Sequence, residues 1–177
     1  MRFKEKVAIV TGGGTGIGKA VAEALVSEGA RVVLNGRRED VLQAAAASID
    51  PKGDLVAHVS GDISRPPIAG AIVEAATRRF GGVDLLFNNA GIFAPKAFLD
   101  HTEEDYDRFL GTILKGKFFM AQAAAKAMKA RGGGAIVQTG SMWALQAVGA
   151  TPSSAYSAAN ATGAMPLDRR SEAHSAM

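Results

Sequence analysis

A glycine-rich stretch near the amino terminus is the strongest candidate for binding a ligand that carries phosphate. Residues 11–18 read TGGGTGIG, with five glycines among eight positions. Glycine allows a tight turn and lets the backbone approach a pyrophosphate, and the free N–H groups at the start of a following helix attract an anion. The stretch follows an apolar run at 6–11 and precedes a helical pattern at 17–27. These positions predict a strand, a phosphate-binding turn and a helix in succession.

Strand-like and helix-like segments alternate along the whole chain. Short apolar runs predict five strands, at 6–11, 31–34, 54–59, 83–87 and 135–139. Segments with apolar residues at helical spacing predict helices at 17–27, 41–49, 68–80 and 103–131. Because strands that alternate with helices pair in parallel, the pattern predicts an α/β fold with a doubly wound parallel sheet.

The composition of the 177 residues excludes several classes of function. Apolar residues make up 47% and charged residues 21%, which is typical of one globular domain. The net charge is only +3 and the basic residues are spread along the chain, so we expect no nucleic-acid partner. Without cysteine there is no disulfide or thiolate ligand, which fits a cytoplasmic protein. No segment predicts a secretory signal or a membrane span, and His58, His101 and His174 lack metal-ligand spacing, so we expect no metal.

Three motifs together resemble the short-chain dehydrogenase/reductase family. They are the spacing of Gly12, Gly16 and Gly18, the sequence NNAG at 88–91, and Tyr156 after the fifth predicted strand. The resemblance extends from residue 4 to about residue 160, and it is closest to the branch of 3-oxoacyl-carrier-protein reductases and sugar or alcohol dehydrogenases. It implies a Rossmann-type sheet in the order 3-2-1-4-5, an NAD or NADP cofactor, and hydride transfer to or from a small carbonyl or alcohol substrate.

The resemblance also implies which residues bind the cofactor. Asp62 and Ile63 match a pair beside the adenine, although a solvated carboxylate at the end of a strand is the alternative for Asp62. The sequence at 89–91 matches a turn along the adenosine ribose that also stabilises the sheet. The full expected set is Gly12, Thr15, Gly16, Ile17, Gly18, Arg37, Arg38, Asp62, Ile63, Asn89, Ala90, Gly91 and Asn160.

The residues after the second predicted strand favour NADP over NAD. An acidic side chain there would bind the adenosine ribose diol and repel a 2′-phosphate, but this chain has Gly36 at that position, followed by Arg37 and Arg38. Guanidinium groups match phosphate geometry well. The alternative is that both arginines only begin the next helix. Thr15 argues weakly against NADP, because NADP-binding members often carry a basic residue there.

The reacting centre matches the family pattern at two positions and departs from it at two others. Tyr156 matches the catalytic tyrosine, and Ser141, 15 positions earlier, matches the serine that orients the substrate. The family's asparagine is replaced by Ile113 and its lysine by Asn160. We expect Lys115 and Lys117 to point away from Ile113 and not to substitute for that lysine.

The missing lysine has an energetic consequence. A free tyrosine has a pKa of about 10, and lowering it to about 7 takes roughly 4 kcal/mol, which a neutral amide cannot supply. Asn160 can still hydrogen-bond a ribose hydroxyl. The resemblance implies an NAD(P)-dependent oxidoreductase. The alternative is a catalytically impaired dinucleotide-binding module, or truncated pseudoenzyme, that lacks the lysine and asparagine.

The remaining expectations concern the surroundings of this centre and the end of the chain. Phe93, Met142 and Trp143 flank it and either line a substrate pocket or pack in the core. We expect residues 1–160 to form the dinucleotide-binding domain and 161–177 to be an atypical tail of a chain truncated after the tyrosine. An exposed fifth strand and the long helix at 103–131 also predict a homo-oligomer or a self-associating chain, with no membrane partner.

Overall fold

A five-stranded parallel sheet forms the centre of the computed structural model, which describes residues 1–145 and 151–161. The strands are β1 (Val7–Thr11), β2 (Arg31–Gly36), β3 (Val56–Ser60), β4 (Leu85–Asn88) and β5 (Ala135–Gln138). Their order, β3-β2-β1-β4-β5, confirms the predicted topology. Strands β2 and β3 are added on one side of β1, and β4 and β5 on the other, so the direction of strand addition reverses between β1 and β4. In open α/β sheets, ligands bind at the carboxyl ends of the strands at such a reversal.

Helices cover both faces of the sheet. They are α1 (Gly16–Ser27), α2 (Glu39–Ile49), α3 (Pro66–Phe80), α4 (Glu103–Phe109), α5 (Lys117–Ala130) and α6 (Ser154–Ala161). The single helix predicted at 103–131 is instead interrupted by a π-helical segment, Leu110–Gly116, between α4 and α5. The helix α6, which carries Tyr156 and Asn160, was not among the predicted helices.

The core on the two faces of the sheet consists of two apolar layers, which follow from the alternation of side chains along β1. Val7 and Ile9 point to the face covered by α3 and α5, where they pack with Met120. Ala8 and Val10 point to the opposite face and pack under α1 and α2. All five residues of β1 are fully buried, as expected for the central strand of a parallel sheet.

The structure leaves most of the predicted tail undescribed. Ala161, the first residue of the predicted tail, is the last residue of α6, and residues 162–177 lie outside the described residues. Within the two described ranges, no helix is long and apolar enough to cross a membrane, and no cluster of side chains has the composition of a metal site.

Candidate active site

The glycine loop between β1 and α1 has a backbone that only glycine accommodates without strain. Gly12 and Gly16 have φ angles of +66° and +53°. A Cβ atom on Gly18 would lie 2.2 Å from the carbonyl oxygen of Gly12, so the loop packs against the first turn of the helix without room for a side chain. The glycines at these positions therefore shape a turn that folds closely onto the start of α1.

The start of α1 offers hydrogen-bond donors to an anion. The first N–H groups of a helix lack acceptors within the helix. Thr15, at the N-cap, makes no side-chain hydrogen bond to them, and the first turn contains no acidic residue. These N–H groups and the positive end of the helix dipole favour a phosphate at this point.

A first cavity of about 410 Å³ lies at the carboxyl ends of β1 and β2. Ile63 and Ala90 form part of its wall together with the glycine loop. Of the residues expected to bind a cofactor, the structure places these along it: Gly12, Thr15, Arg37, Arg38, Asp62, Ile63, Ala90 and Gly91. Gly16 and Gly18 line neither this cavity nor the second one described below, so their contribution is to the shape of the loop.

Arg37 and Arg38 bring positive charge to this cavity. Both are exposed, and among the described residues neither guanidinium forms an ion pair. Glu39, the nearest acidic residue in sequence, is hydrogen-bonded through its carboxylate to the ring of His58 at 2.8 Å. The cavity therefore has two basic side chains whose hydrogen-bond donors are available to a phosphate.

The turn after β4 connects the ends of three strands. Asn89 donates through Nδ2 to the carbonyl of Thr11 at 3.2 Å and accepts the hydroxyl of Thr139 at 3.2 Å. The N–H of Ala90 donates to the hydroxyl of Thr11 at 2.9 Å. These bonds tie the carboxyl ends of β1, β4 and β5 together at the edge of the sheet where the cavities lie.

A second cavity of about 260 Å³ is also lined by residues of this turn. Gly91 and Ile92 line both cavities, so the two spaces are adjacent, and together they are called the cleft below. The second cavity also brings together side chains from α5 and α6 with the ends of β4 and β5. Its lining residues are Ile17, Asn89, Gly91, Ile92, Phe93, Ile113, Lys117, Thr139, Gly140, Tyr156 and Asn160.

Aromatic rings hold Tyr156 at the wall of the second cavity. Its ring packs edge-to-face on Phe93 and Phe109, with distances between ring centroids of 5.0 Å and 6.2 Å. Phe93 also contacts Trp143 at 5.8 Å and is half exposed, so Phe93 and Trp143 form an aromatic surface beside the tyrosine. Met142 is 60% exposed and belongs to no core cluster of the described residues.

Ser141 is next to the cavity but does not line it. Its Oγ atom accepts the N–H of Trp143 at 3.3 Å and caps a short 3₁₀ turn, Met142–Ala144. The preceding residue, Gly140, does line the cavity. The structure therefore brings Tyr156 and Gly140 together in the site and places the serine hydroxyl at its border.

The two positions that depart from the family pattern have defined local roles. Asn160 is buried, and its Nδ2 donates to the backbone carbonyl of Tyr156 at 2.9 Å within α6. Ile113 is 2% exposed and packs with Phe109 and Ala159. An apolar side chain at 113 thus contributes to the contact between α6 and the helical segment that precedes α5.

Lys117 is the site residue that the sequence interpretation missed. We expected it to point away from Ile113, but both line the second cavity, so that expectation is wrong for Lys117. The reason is that residues four apart lie on the same face of a helix. Lys115, by contrast, is exposed, as expected. The spacing of four from Ile113 is the signal that would have revealed Lys117.

Comparison with known proteins gives a consistent family assignment. A family model described as short chain dehydrogenase matches residues 6–168. The L-rhamnose 1-dehydrogenase (NAD(P)(+)) of Azotobacter vinelandii is 40% identical over 150 residues, which is 82% of this chain and 59% of that protein. The NADP-dependent (R)-specific alcohol dehydrogenase of Lentilactobacillus kefiri is 40% identical over 136 residues, 77% of this chain and 54% of that protein.

A solved structure gives the same result for the fold. The crystal structure of a short-chain type dehydrogenase/reductase from Mycobacterium marinum superposes with a TM-score of 0.86 and 35% identity, covering 90% of this chain and 65% of that one. The chain spans less than two thirds of the length of the curated relatives it matches.

Proposed function

This chain belongs to the short-chain dehydrogenase family, and we propose that it is an NAD(P)-dependent oxidoreductase acting on a carbonyl or alcohol. The observation that carries the proposal is the pair of adjacent cavities. One has the glycine loop and two arginines, the other has Tyr156, and they share Gly91 and Ile92. A dinucleotide has a phosphate-rich centre and two different ends, so its two halves would occupy two adjacent cavities with different linings. In this proposal residues 1–160 form the dinucleotide-binding domain.

The first cavity suits the adenosine half of the cofactor. The glycine loop and the start of α1 would hold the pyrophosphate, since they present backbone N–H groups without a side chain in the way. Arg37 and Arg38 would bind a 2′-phosphate, which supports a preference for NADP over NAD. Asp62 and Ile63 line the same cavity and would contact the adenine.

The second cavity suits the reacting half. The nicotinamide ring supplies or accepts the hydride when the cofactor is bound. In the direction of reduction, the hydroxyl of Tyr156 donates its proton to the substrate oxygen, and in oxidation the tyrosine takes that proton back. Ser141 would orient the substrate oxygen through its hydroxyl hydrogen, because its Oγ lone pair already accepts the N–H of Trp143. Phe93 and Trp143 would contact the apolar part of the substrate.

Two measurements test this proposal. Titration with NADPH, followed by its fluorescence, measures binding, and NADPH oxidation against a panel of ketones and 3-oxoacyl thioesters measures turnover. We expect the parent chain to bind NADPH and to turn over substrate, and we expect Tyr156→Phe to bind NADPH without turnover. Tyr106→Phe is the matched control, because Tyr106 is half exposed on α4 and lines neither cavity. Binding without turnover would favour the alternative of a dinucleotide-binding module, and absence of binding would refute both.

We also propose that the chain self-associates and acts in the cytoplasm. Phe118 on α5 is 44% exposed, and Val137 on β5, the edge strand of the described sheet, is 47% exposed. The absence of cysteine suits a reducing compartment. Size-exclusion chromatography with light scattering checks the first part, where a monomer at all concentrations would contradict it. Fractionation of cells that express the tagged chain checks the second.

A further inference from the structure

Lys117 carries a buried positive charge that no acidic side chain balances. The residue is 7% exposed, and its ammonium donates to the backbone carbonyl of Thr139 at 2.5 Å. Within residues 1–145 and 151–161, it forms no ion pair with a carboxylate. Burial lowers the pKa of this ammonium below its usual value. The structure thus places a cation where its environment makes the charge costly.

The cost indicates that the ammonium has a further partner. Burying an unpaired charge costs several kcal/mol, whereas an apolar side chain at the first residue of α5 would pack against the sheet without that penalty. An ammonium has three N–H donors, and the Thr139 carbonyl uses one of them. The remaining donors belong to a side chain that lines the second cavity, so a ligand oxygen there can accept them.

The two amide side chains of this cavity already make hydrogen bonds to the protein. The amide of Asn89 bonds to Thr11 and Thr139, and the amide nitrogen of Asn160 bonds to Tyr156. Tyr156 is the other titratable group among the described lining residues, and none of them is a carboxylate. Lys117 is therefore the cationic donor of the described part of the cavity.

We propose that Lys117 binds the nicotinamide end of the cofactor, its ammonium donating to a ribose hydroxyl, and that it supplies the positive charge of the cavity that contains Tyr156. This inference rests on the proposed function, because it assumes a dinucleotide in the cleft. It assigns to α5 a charge that family resemblance places at position 160, where this chain has only the amide of Asn160. The consequence is a cofactor whose two ends depend on different basic residues, Arg37 and Arg38 at one and Lys117 at the other.

The experiment compares a whole cofactor with one half of it. NADPH and adenosine 2′,5′-bisphosphate are titrated calorimetrically against the parent chain, Lys117→Met and Lys115→Met. Methionine has a similar length and no charge, and Lys115 is the exposed lysine two residues earlier. We expect Lys117→Met to weaken the affinity for NADPH by at least about tenfold, because one charge-assisted hydrogen bond is lost. The affinity for the bisphosphate should not change. Lys115→Met should change neither.

The outcomes separate the inference from the function on which it rests. If a folded Lys117→Met binds both ligands as the parent does, or is folded and loses both equally, the inference is wrong and the proposed function stands. If the parent binds neither ligand, the proposed function itself fails. If Lys117→Met does not fold, the pH dependence of binding to Tyr156→Phe tests the inference instead. In Tyr156→Phe, Lys117 is the remaining titratable group among the described lining residues. There the ratio of NADPH to bisphosphate affinity should fall as pH rises through the lowered pKa of Lys117, and a constant ratio would overturn the inference.

Discussion

The side-chain amide of Asn88 donates to the backbone carbonyl of Lys117 at 2.8 Å, and both residues are buried. This bond joins the end of β4 to the first residue of α5. The amide oxygen of Asn88 also accepts the hydroxyl of Thr11 at 3.4 Å, at the end of β1. The backbone of Lys117, a lysine that lines the second cavity, is therefore connected to the end of β1, where the glycine loop begins.

Replacing Asn88 should destabilise the fold and loosen the site together. Asn88→Ala leaves the buried carbonyl of Lys117 without this donor, and we expect the free energy of unfolding to fall by about 1–3 kcal/mol. Urea denaturation measures this change. Gln122→Ala, at an exposed position of α5, is the control and should stay within about 0.5 kcal/mol of the parent. Equal stabilities of the Asn88 and Gln122 variants would show that the bond contributes nothing.

The two arginines of the first cavity should decide between NADPH and NADH. We expect NADPH to bind at least several-fold more tightly, because the guanidinium groups can pair with the 2′-phosphate. Arg37→Asp should reverse the preference, since a carboxylate repels that phosphate and accepts the ribose hydroxyls of NADH. Lys126→Asp makes the same change of charge at an exposed position of α5 and should leave the ratio unchanged. Fluorescence titration of both cofactors measures the ratio, and equal affinities in the parent would refute the assignment.

A methyl group on Gly18 should disrupt the glycine loop. The added Cβ would lie 2.2 Å from the carbonyl oxygen of Gly12, so the loop must move away from the helix. We expect Gly18→Ala to lose NADPH binding and to lower the melting temperature. Gly70→Ala is the matched control, because a Cβ there meets no atom within 4 Å and Gly70 lies inside α3. Alanine in a helix interior stabilises by about 0.5–1 kcal/mol relative to glycine, so this control should melt no earlier than the parent.

Asp105 should make part of the stability depend on pH. Hydrogen bonds from the ammonium of Lys96 and from Thr102 hold the pKa of its carboxyl well below the usual range. A group whose folded-state pKa is depressed stabilises the fold above its unfolded pKa of about 3.9, and this contribution is lost as pH falls. Asp105→Asn should thus melt earlier than the parent at neutral pH, and the difference should shrink below about pH 4. Asp107→Asn, exposed on α4, is the control and should melt close to the parent at neutral pH.

The sheet was predictable because its pattern is local and its connections are restricted. Each strand is a short apolar run, and parallel strands with intervening helices leave few topologies. The interruption at Leu110–Gly116 was not predictable, since it is a change of hydrogen-bond pattern inside a segment with continuous helical composition. The helix α6 contains mostly alanine and serine and lacks an apolar stripe, so its packing on Phe109 and Ile113 defines it more than its sequence does.

The cleft was predictable in outline and Lys117 was not. The glycine spacing and the arginines after β2 indicate a phosphate ligand from residue types alone. Lysine is almost never buried without a partner, so a sequence interpretation places it at the surface, as holds for Lys115. The burial of Lys117 depends on the carbonyl of Thr139, 22 residues away, which only the folded structure brings within reach. Likewise, Ser141 has the expected spacing, but its hydroxyl caps a turn at the border of the cavity.

Lys117 and Asn160 line one cavity of about 260 Å³, so a positive charge at either position should serve the same ligand. We therefore expect Lys117→Met to weaken NADPH binding and the double variant with Asn160→Lys to recover most of it. Asn160→Lys alone places two ammonium groups in one buried space, and their repulsion should lower the free energy of unfolding. Fluorescence titration and urea denaturation of these four proteins give a double-mutant cycle, in which the two substitutions should be strongly non-additive. The same cycle with Lys115→Met in place of Lys117→Met should be additive. Additivity in both cycles would mean that the two positions do not share a ligand.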